Sequence, residues 1–325
     1  MSLLFRIAAA LMALNLIAAC TQEGAAGRQS LPPLMNVQDA GGQAHPLIGR
    51  IWVPSEGREA SETELARHIA GTRFVLVGEK HDNPDHHRLQ AGIVAELVRA
   101  GRKPAVVWEM IDFSKEAALA DYLAREDADA AGLGPALDWE NSGWPQWPDY
   151  QPIAEVAMAA DLPQYAANFD RPTIGRLMRA GLSALPDPVI ARLLRGAPWG
   201  FREENALNLE LVESHCGVMP EAMLAPMNRI QRSRDAAMAV TMLEADTGDG
   251  AVLIAGSGHV RGDRGVPIYL GTSPDAVAIG LIEVVEGETA AADYVDNARQ
   301  FDFVIFTAAV DSPDRCEGFR LRHGD

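Results

Sequence analysis

Four segments of the chain share one pattern, in which a short and continuous apolar run ends at a polar or charged side chain. Continuous apolar runs are typical of strands buried on both faces, as in a parallel sheet. The pattern therefore predicts four central strands of a largely parallel sheet, at 74–77, 105–108, 165–167 and 252–255. The polar residues at their ends are Glu79 with His81, Glu109, Asn168 and His259.

A helix is predicted directly after the first of these strands. Asn83 suits the N-cap, Pro84 suits the first helical position, and apolar residues then recur at helical spacing as far as Gly101. Strand, helix and strand in this order form a βαβ unit, whose two strands lie parallel. Three later strands are predicted at 266–270, 277–285 and 303–307.

The segment 173–245 lacks strand-like runs and predicts several helices instead. We therefore expect an α/β fold class, with a mainly parallel sheet flanked by helices and a smaller all-helical subdomain. The α/β domain is predicted at 34–172 and 246–325, and the helical subdomain at 173–245.

The first twenty residues have the composition of a bacterial export signal. Arg6 precedes a largely apolar run, 7–17, which is too short to span a bilayer as a helix. Ala18 and Ala19 before Cys20 resemble a lipobox, although a plain secretory signal with a chance cysteine is the alternative. We predict a signal peptide at 1–19, lipidation of Cys20 and a tether at 20–33. The predicted location is the cell envelope, lipid-anchored in the outer membrane and facing the periplasm.

The formal net charge of −17 argues against a nucleic-acid partner, because binding to phosphates requires a basic surface. Export would also permit a disulfide between Cys216 and Cys316. The sequence alone does not establish that pairing.

The polar strand ends predict a shared cleft, because ligands of open α/β sheets bind outside the carboxyl ends of the strands. Glycine, two residues and histidine follow a strand twice, as GEKH (78–81) and GSGH (256–259). Glu79, His81 and His259 could hold a divalent metal, or a glutamate could act as a general base beside an imidazole. An ordinary polar loop is the plainer alternative for each residue taken singly.

Four motifs in order, GEKHDNPDHHRLQ, WEM, IQRSRDAAMA and AGSGHVRGDRGVPIYL, resemble the ChaN-like haem-binding lipoprotein family. That family belongs to a superfamily with the Tiki and TraB proteins and the erythromycin esterases. The resemblance extends from about Arg50 to Thr307 and implies a parallel α/β domain, a small helical domain and a function in haem binding and iron uptake. The matching residues are Gly78, Glu79, His81, His87, Gln90, Glu109, Arg234, Asp235, Gly256, His259, Gly265 and Pro267.

The resemblance also implies haem as the ligand, a tyrosine on the iron, and haem shared between two protomers. Partners would then include a second copy on haem loading and an outer-membrane haem receptor. Residues of the predicted cleft are Gly78, Gln90, Asn168, Asp235, Gly256 and Gly258. Candidates for the haem site are Tyr150 and Tyr165 for the iron, His87, Trp144 and Trp147 for the macrocycle, and Arg171, Arg232 and Arg234 for the propionates.

The superfamily also contains hydrolases, which leaves a second interpretation open. In a metal-dependent protease-like or esterase-like enzyme, Glu79 would act as the general base, His81 and His259 would bind the metal or polarise the substrate, and Glu109 would support them. A non-enzymatic haem-binding protein is the interpretation that the resemblance favours.

Overall fold

A computed structural model describes residues 30–37, 45–196, 200–271, 275–295 and 300–310. Eight strands in this part of the chain form one sheet, in the order β2-β1-β8-β7-β3-β6-β4-β5. The strands are β1 (Ile51–Val53), β2 (Arg58–Ala60), β3 (Phe74–Glu79), β4 (Ala105–Asp112), β5 (Gln164–Asn168), β6 (Ala251–Gly256), β7 (Ala276–Glu283) and β8 (Phe303–Thr307).

Six neighbouring strands of the sheet, from β8 to β5, are parallel. The β1–β2 hairpin adds an antiparallel edge through pairing of β1 with β8. The predicted fold class, a mainly parallel sheet flanked by helices, is confirmed. The four central strands were predictable because they are buried on both faces and therefore apolar throughout.

Eleven α-helices occur in the described residues. They are α1 (Glu62–Gly71), α2 (Pro84–Arg99), α3 (Glu116–Leu123), α4 (Ala130–Ala136), α5 (Trp147–Ala159), α6 (Arg171–Ala180), α7 (Asp187–Arg195), α8 (Phe201–Ser214), α9 (Glu221–Ala245), α10 (Ser257–Val260) and α11 (Pro267–Leu270). Within these ranges no helix combines the length and the apolar character needed to cross a membrane.

Helix α2 begins and ends as its sequence predicts. The Asn83 side chain accepts a hydrogen bond from the Asp85 backbone N–H, and Pro84 occupies the first turn. Gly101 follows the helix with φ at 79°, a left-handed conformation that glycine adopts without steric cost.

The core lies on both faces of the sheet, because successive side chains of a strand point to opposite sides. On one face, Leu76 and Val107 pack with residues of α9, among them Met238. On the other face, the Trp108 ring lies 6.5 Å from the Trp147 ring of α5. Helices α2 and α5 pack together, and α9 packs against β4, β5 and β6.

The predicted strand at 266–270 is wrong, because Pro267–Leu270 forms the short helix α11. The Val266 N–H donates to the His259 carbonyl oxygen, which turns the chain before a strand could form. Pro267 also has no N–H to give to a ladder, and its fixed φ suits a first helical turn. Strands β1 and β2 were not predicted, since three residues each are too few to show a pattern.

The described residues between 173 and 245 are helical or in turns and contain no strand. Residues Pro32–Asp325 form one compact unit. The division into an α/β domain and a helical subdomain therefore stays a prediction. The predicted signal peptide, Cys20 and almost all of the predicted tether lie outside the described residues.

Candidate functional site

The sheet brings the predicted cleft residues together at the carboxyl ends of its strands. Glu79 ends β3, where it is paired with Gly256 at the end of β6. Asn168 ends β5, Glu109 lies in the second half of β4, and His259 follows β6 in α10. The parallel register places these groups at one edge, as the rule for open α/β sheets requires.

Glu79 is the centre of a first cluster, and its side chain is fully buried. Its Oε1 lies 2.8 Å from His81 Nδ1 and accepts a hydrogen bond of 2.9 Å from the Tyr150 hydroxyl. Its Oε2 lies 2.7 Å from Nε2 of the buried His87, an ion-pair contact without hydrogen-bond alignment. Burial would raise the pKa of Glu79, but the charge of His87 and hydrogen bonds from both histidines lower it to about 2.

Glu109 is the centre of a second cluster. Its Oε1 contacts Arg234 Nη2 at 2.5 Å and His259 Nε2 at 3.3 Å, and its Oε2 accepts a 2.6 Å hydrogen bond from the Gly256 backbone N–H. His259 Nδ1 lies 2.5 Å from Asp235 Oδ1. Two cations and a backbone donor thus surround one buried carboxylate.

The electrostatics of this second cluster favour charged side chains. Burial opposes ionisation of Glu109, but His259 and Arg234 hold its pKa well below the usual range. Burial likewise lowers the pKa of His259, while Glu109 and Asp235 together raise it to about 9. The imidazolium, the guanidinium and the carboxylates therefore coexist at neutral pH.

Gly256 joins the two clusters, because its backbone passes between them without a side chain. A Cβ at this position would lie 2.9 Å from His81 Nε2 and 3.6 Å from Glu109 Oε2. Gly78 has a packing role of the same kind, since a Cβ there would lie 2.8 Å from the Ser257 backbone. The glycines of GEKH and GSGH thus allow strand and turn to approach closely.

Gln231 is a site residue that the sequence analysis missed. Its Oε1 accepts a 3.1 Å hydrogen bond from Arg234 Nη1, and its Nε2 lies 3.1 Å from His259 Nε2. Spacings of three and four residues place Gln231, Arg234 and Asp235 on one face of α9. That spacing in IQRSRD was the available signal.

The predicted metal ligands are each engaged by other residues. His81 Nδ1 faces Glu79, and His259 Nδ1 faces Asp235. In the described part of the chain, no three histidine, cysteine, aspartate or glutamate side chains are arranged to hold a metal ion. The polar cleft is therefore built as a network of ion pairs.

Tyr150, a predicted iron ligand, lies inside the protein. The residue is fully buried on α5, its ring lies 4.0 Å from the His87 ring, and its hydroxyl donates to Glu79. Burial, followed by the charge of Glu79, raises the pKa of the phenol above its ordinary value. Both effects oppose the phenolate that a ferric iron would require, so the geometry disfavours Tyr150 as the ligand.

Tyr165 differs from the other four tyrosines of the chain. It is half-buried on the edge strand β5, and its hydroxyl makes no hydrogen bond within the residues that the structure describes. The four hydroxyls of Tyr122, Tyr150, Tyr269 and Tyr294 all have hydrogen-bond partners.

The predicted partners of the propionates separate into two kinds. Arg234 is fully engaged, with Nε donating to Asn168 and its other nitrogens to Glu109 and Gln231. Arg232 Nε donates to the Tyr269 hydroxyl at 3.2 Å. Arg171 is exposed at the start of α6 and forms no ion pair among the described residues.

Other predicted residues have structural roles in this fold. Gln90 is buried and donates to the Val77 carbonyl oxygen, while Gly258 lies against the Glu210 side chain. Trp147 is 7 % exposed, and its indole N–H donates to the Ala130 carbonyl oxygen.

A groove of about 840 Å³ lies beside the first cluster, bordered by α4, a 3-10 turn at Trp139–Asn141, and the start of α5. The half-buried Trp144 lines it, and its ring lies 4.7 Å from the His81 ring. An adjoining cavity of about 340 Å³ shares Trp139 and Asp138 with the groove and is lined by Lys115 and Arg171. Apolar walls next to two cations suit a flat, apolar ligand with carboxylates.

The family model described as "Haem-binding uptake, Tiki superfamily, ChaN" matches residues 65–270, which is more than half of the chain. The chain belongs to the ChaN family. A solved structure described as "Cofacial heme binding to ChaN of Campylobacter jejuni" shares 22% identity with a TM-score of 0.63, over 78% of this chain and 95% of that chain. This likeness confirms that the chain has the ChaN-like α/β fold.

More distant structures also match, with little detailed similarity. The type III effector HopBA1 is 13% identical with a TM-score of 0.40, over 86% of this chain and 99% of that chain. An erythromycin esterase in its open conformation is 13% identical with a TM-score of 0.37, over 84% and 87%. No curated protein matches the chain.

Cys216 is disulfide-bonded and has a positive φ of 60°. Cys20 and Cys316 lie outside the described residues, so the predicted pairing of Cys216 with Cys316 stays a prediction.

Proposed function

We propose that this chain is a lipid-anchored haem-binding protein of the bacterial cell envelope that serves haem or iron uptake. The observation that carries the proposal is the match of residues 65–270 to a haem-binding family. The lipobox before Cys20 supports a lipid anchor, and the outer membrane is the location that we propose. Haem loading would join two copies, by analogy with the cofacial haem binding of the similar Campylobacter jejuni protein.

The residues of the groove fit a haem group in their chemistry. Trp144 offers a flat apolar surface, and Lys115 and Arg171 in the adjoining cavity offer charges for two propionates. Asp112 and Asp170 line the same cavity and oppose a dianion there. When bound, haem would supply a ferric iron that a phenolate or an imidazole can ligate.

Two side chains remain as iron donors. Tyr165 has a hydroxyl that makes no hydrogen bond within the described residues. His81 has a side chain that is 27% exposed, and Glu79 orients its Nδ1 as carboxylates orient metal-bound histidines. We propose Tyr165 as the ligand, with His81 as the second candidate.

Haemin titration into the Pro32–Asp325 unit, followed by absorption spectroscopy and measurement of particle size, tests the proposal. We expect a saturable spectral shift, a phenolate-to-iron band and a doubling of size. The band should disappear in Tyr165→Phe and persist in the matched control Tyr150→Phe. A band that is lost only in His81→Gln spectra would move the ligand to His81, and a flat titration of the unmodified chain would refute haem binding.

A hydrolase is the second candidate function. His81 favours it, because this is the partly exposed member of a charged network and its Nδ1 is held by a carboxylate. Two directions of pKa oppose a general base, since Glu79 titrates at about 2 and hydrogen bonding to Glu79 raises the pKa of His81 against the effect of burial. Ester and peptide hydrolysis that is lost in both Glu79→Gln and His259→Ala would establish this function.

A further inference from the structure

The helices α6 and α7 carry a charge opposite to that of the whole chain. Residues 176–195 contain four arginines and a single acidic residue, Asp187, in a chain whose formal net charge is −17. Over distances beyond about 10 Å, salt screens the remaining negative charge. A partner that approaches these two helices therefore meets a positive surface.

The four arginines make no ion pair in the part of the chain that the structure describes. Arg176 donates only to the neighbouring Thr173 hydroxyl. Arginines in other regions, such as Arg73 and Arg88, each form an ion pair with an aspartate. The arginines of α6 and α7 therefore keep their hydrogen-bond donors available for an external anion.

Large apolar side chains protrude beside these arginines. Leu194 near the end of α7 is 75% exposed, and Phe201 at the start of α8 is 86% exposed. The core does not require them, because Leu177 of α6 and Val189 of α7 supply the buried contacts of these helices. Exposed leucine and phenylalanine lose free energy in water unless a partner covers them.

We propose that this surface, formed by Arg176, Arg179, Arg192, Leu194, Arg195 and Phe201 and named here the arginine face, docks on a bilayer that contains anionic phospholipids. Arginine donates two-pronged hydrogen bonds to phosphate. Leucine and phenylalanine enter the boundary between headgroups and acyl chains, as the apolar residues of interfacial helices do. The proposal depends on neither haem binding nor lipidation of Cys20.

A membrane explains both features of the arginine face at once. A nucleic acid would use the arginines but would leave Leu194 and Phe201 in water. A second copy of the chain would cover Leu194 and Phe201 but would bring like charges together, since both copies present the same arginines. Charge and apolar exposure together match an anionic bilayer.

Co-sedimentation of the Pro32–Asp325 unit with phosphatidylcholine vesicles, with and without phosphatidylglycerol, tests the proposal. We expect binding that requires phosphatidylglycerol and weakens as salt increases. The double change Arg192→Gln and Arg195→Gln should weaken it on the order of tenfold, since each basic residue near an anionic surface contributes roughly a factor of five. Leu194→Ser with Phe201→Ser should also weaken it.

Matched controls distinguish the arginine face from general stickiness. Arg67→Gln removes an exposed arginine of α1 that also makes no ion pair among the described residues, and Val285→Ser removes a side chain that is 49% exposed. Both controls should bind like the unmodified chain. The proposal is wrong if binding ignores phosphatidylglycerol or if the controls lose it equally. It is also wrong if the chain dimerises through Leu194 and ignores both kinds of vesicle.

Discussion

Arginine is used in two opposite ways in this protein. At the carboxyl edge of the sheet, Arg234 is held by Glu109, Asn168 and Gln231, and nearly every charge is buried beside a charge of opposite sign. On the arginine face, Arg176, Arg179, Arg192 and Arg195 make no ion pair with any described residue.

The difference separates charges that fix a structure from charges that await a partner. A buried ion pair is costly to assemble, but removing one member leaves the other desolvated and unbalanced, so its geometry is strongly enforced. An exposed unpaired arginine costs the fold little and imposes no geometry on it. Stability measurements should therefore separate the two regions clearly.

The largest effect is expected from Glu109→Gln. The amide keeps the shape of the side chain but leaves Arg234 and the His259 imidazolium without their shared carboxylate. We expect a loss of about 3–5 kcal/mol in the free energy of unfolding, measured by urea denaturation. The control Asp127→Asn breaks an exposed ion pair with Arg125 and should change little. Equal losses in both variants would contradict the distinction between the regions.

The pH dependence of stability should show a smaller effect from His259. Its pKa is raised from 6.5 to about 9 in the folded protein, so the folded state binds the proton more tightly than the unfolded state. The resulting stabilisation, about 3 kcal/mol at most, is complete below pH 6.5 and is lost as the pH rises through 9. Urea denaturation between these pH values should show the decline, and His259→Gln should flatten it. An unchanged slope in the variant would exclude His259 as the source.

The smallest effect on stability is expected from Arg195→Gln on the arginine face. No ion pair within the described residues is lost, so the free energy of unfolding should change by no more than about 0.5 kcal/mol. The same urea series measures it. A loss comparable to that of Glu109→Gln would show that Arg195 supports the fold, and the comparison between the two regions would then fail.

The sequence predicts the central strands and the cleft residues for one shared reason. A strand covered on both faces must be apolar along its length, so a polar residue such as Glu79 is conspicuous where the strand ends. The parallel order then implies that Glu79, Asn168 and His259 lie at one edge before any contact is known.

Contacts between distant segments could not be predicted in this way. Tyr150 resembles an iron ligand in the sequence because it ends an aromatic stretch, but it hydrogen-bonds Glu79, which lies 71 residues earlier. Arg234 resembles a propionate partner, yet it pairs with Glu109 across 125 residues. Both contacts depend on how α5 and α9 pack on the sheet, which no local pattern encodes.

The position of β1 beside β8 has a consequence for the order of folding. Ile51 pairs with Ile305, so the first strand of the sheet must wait for the last one to be synthesised. A hairpin with strands of three residues is marginal in water by itself, and pairing across such a separation is slow. A nascent chain therefore leaves this edge of its sheet open until nearly its whole length is available. Truncation before Phe303 would remove one strand and, with it, the attachment of two others.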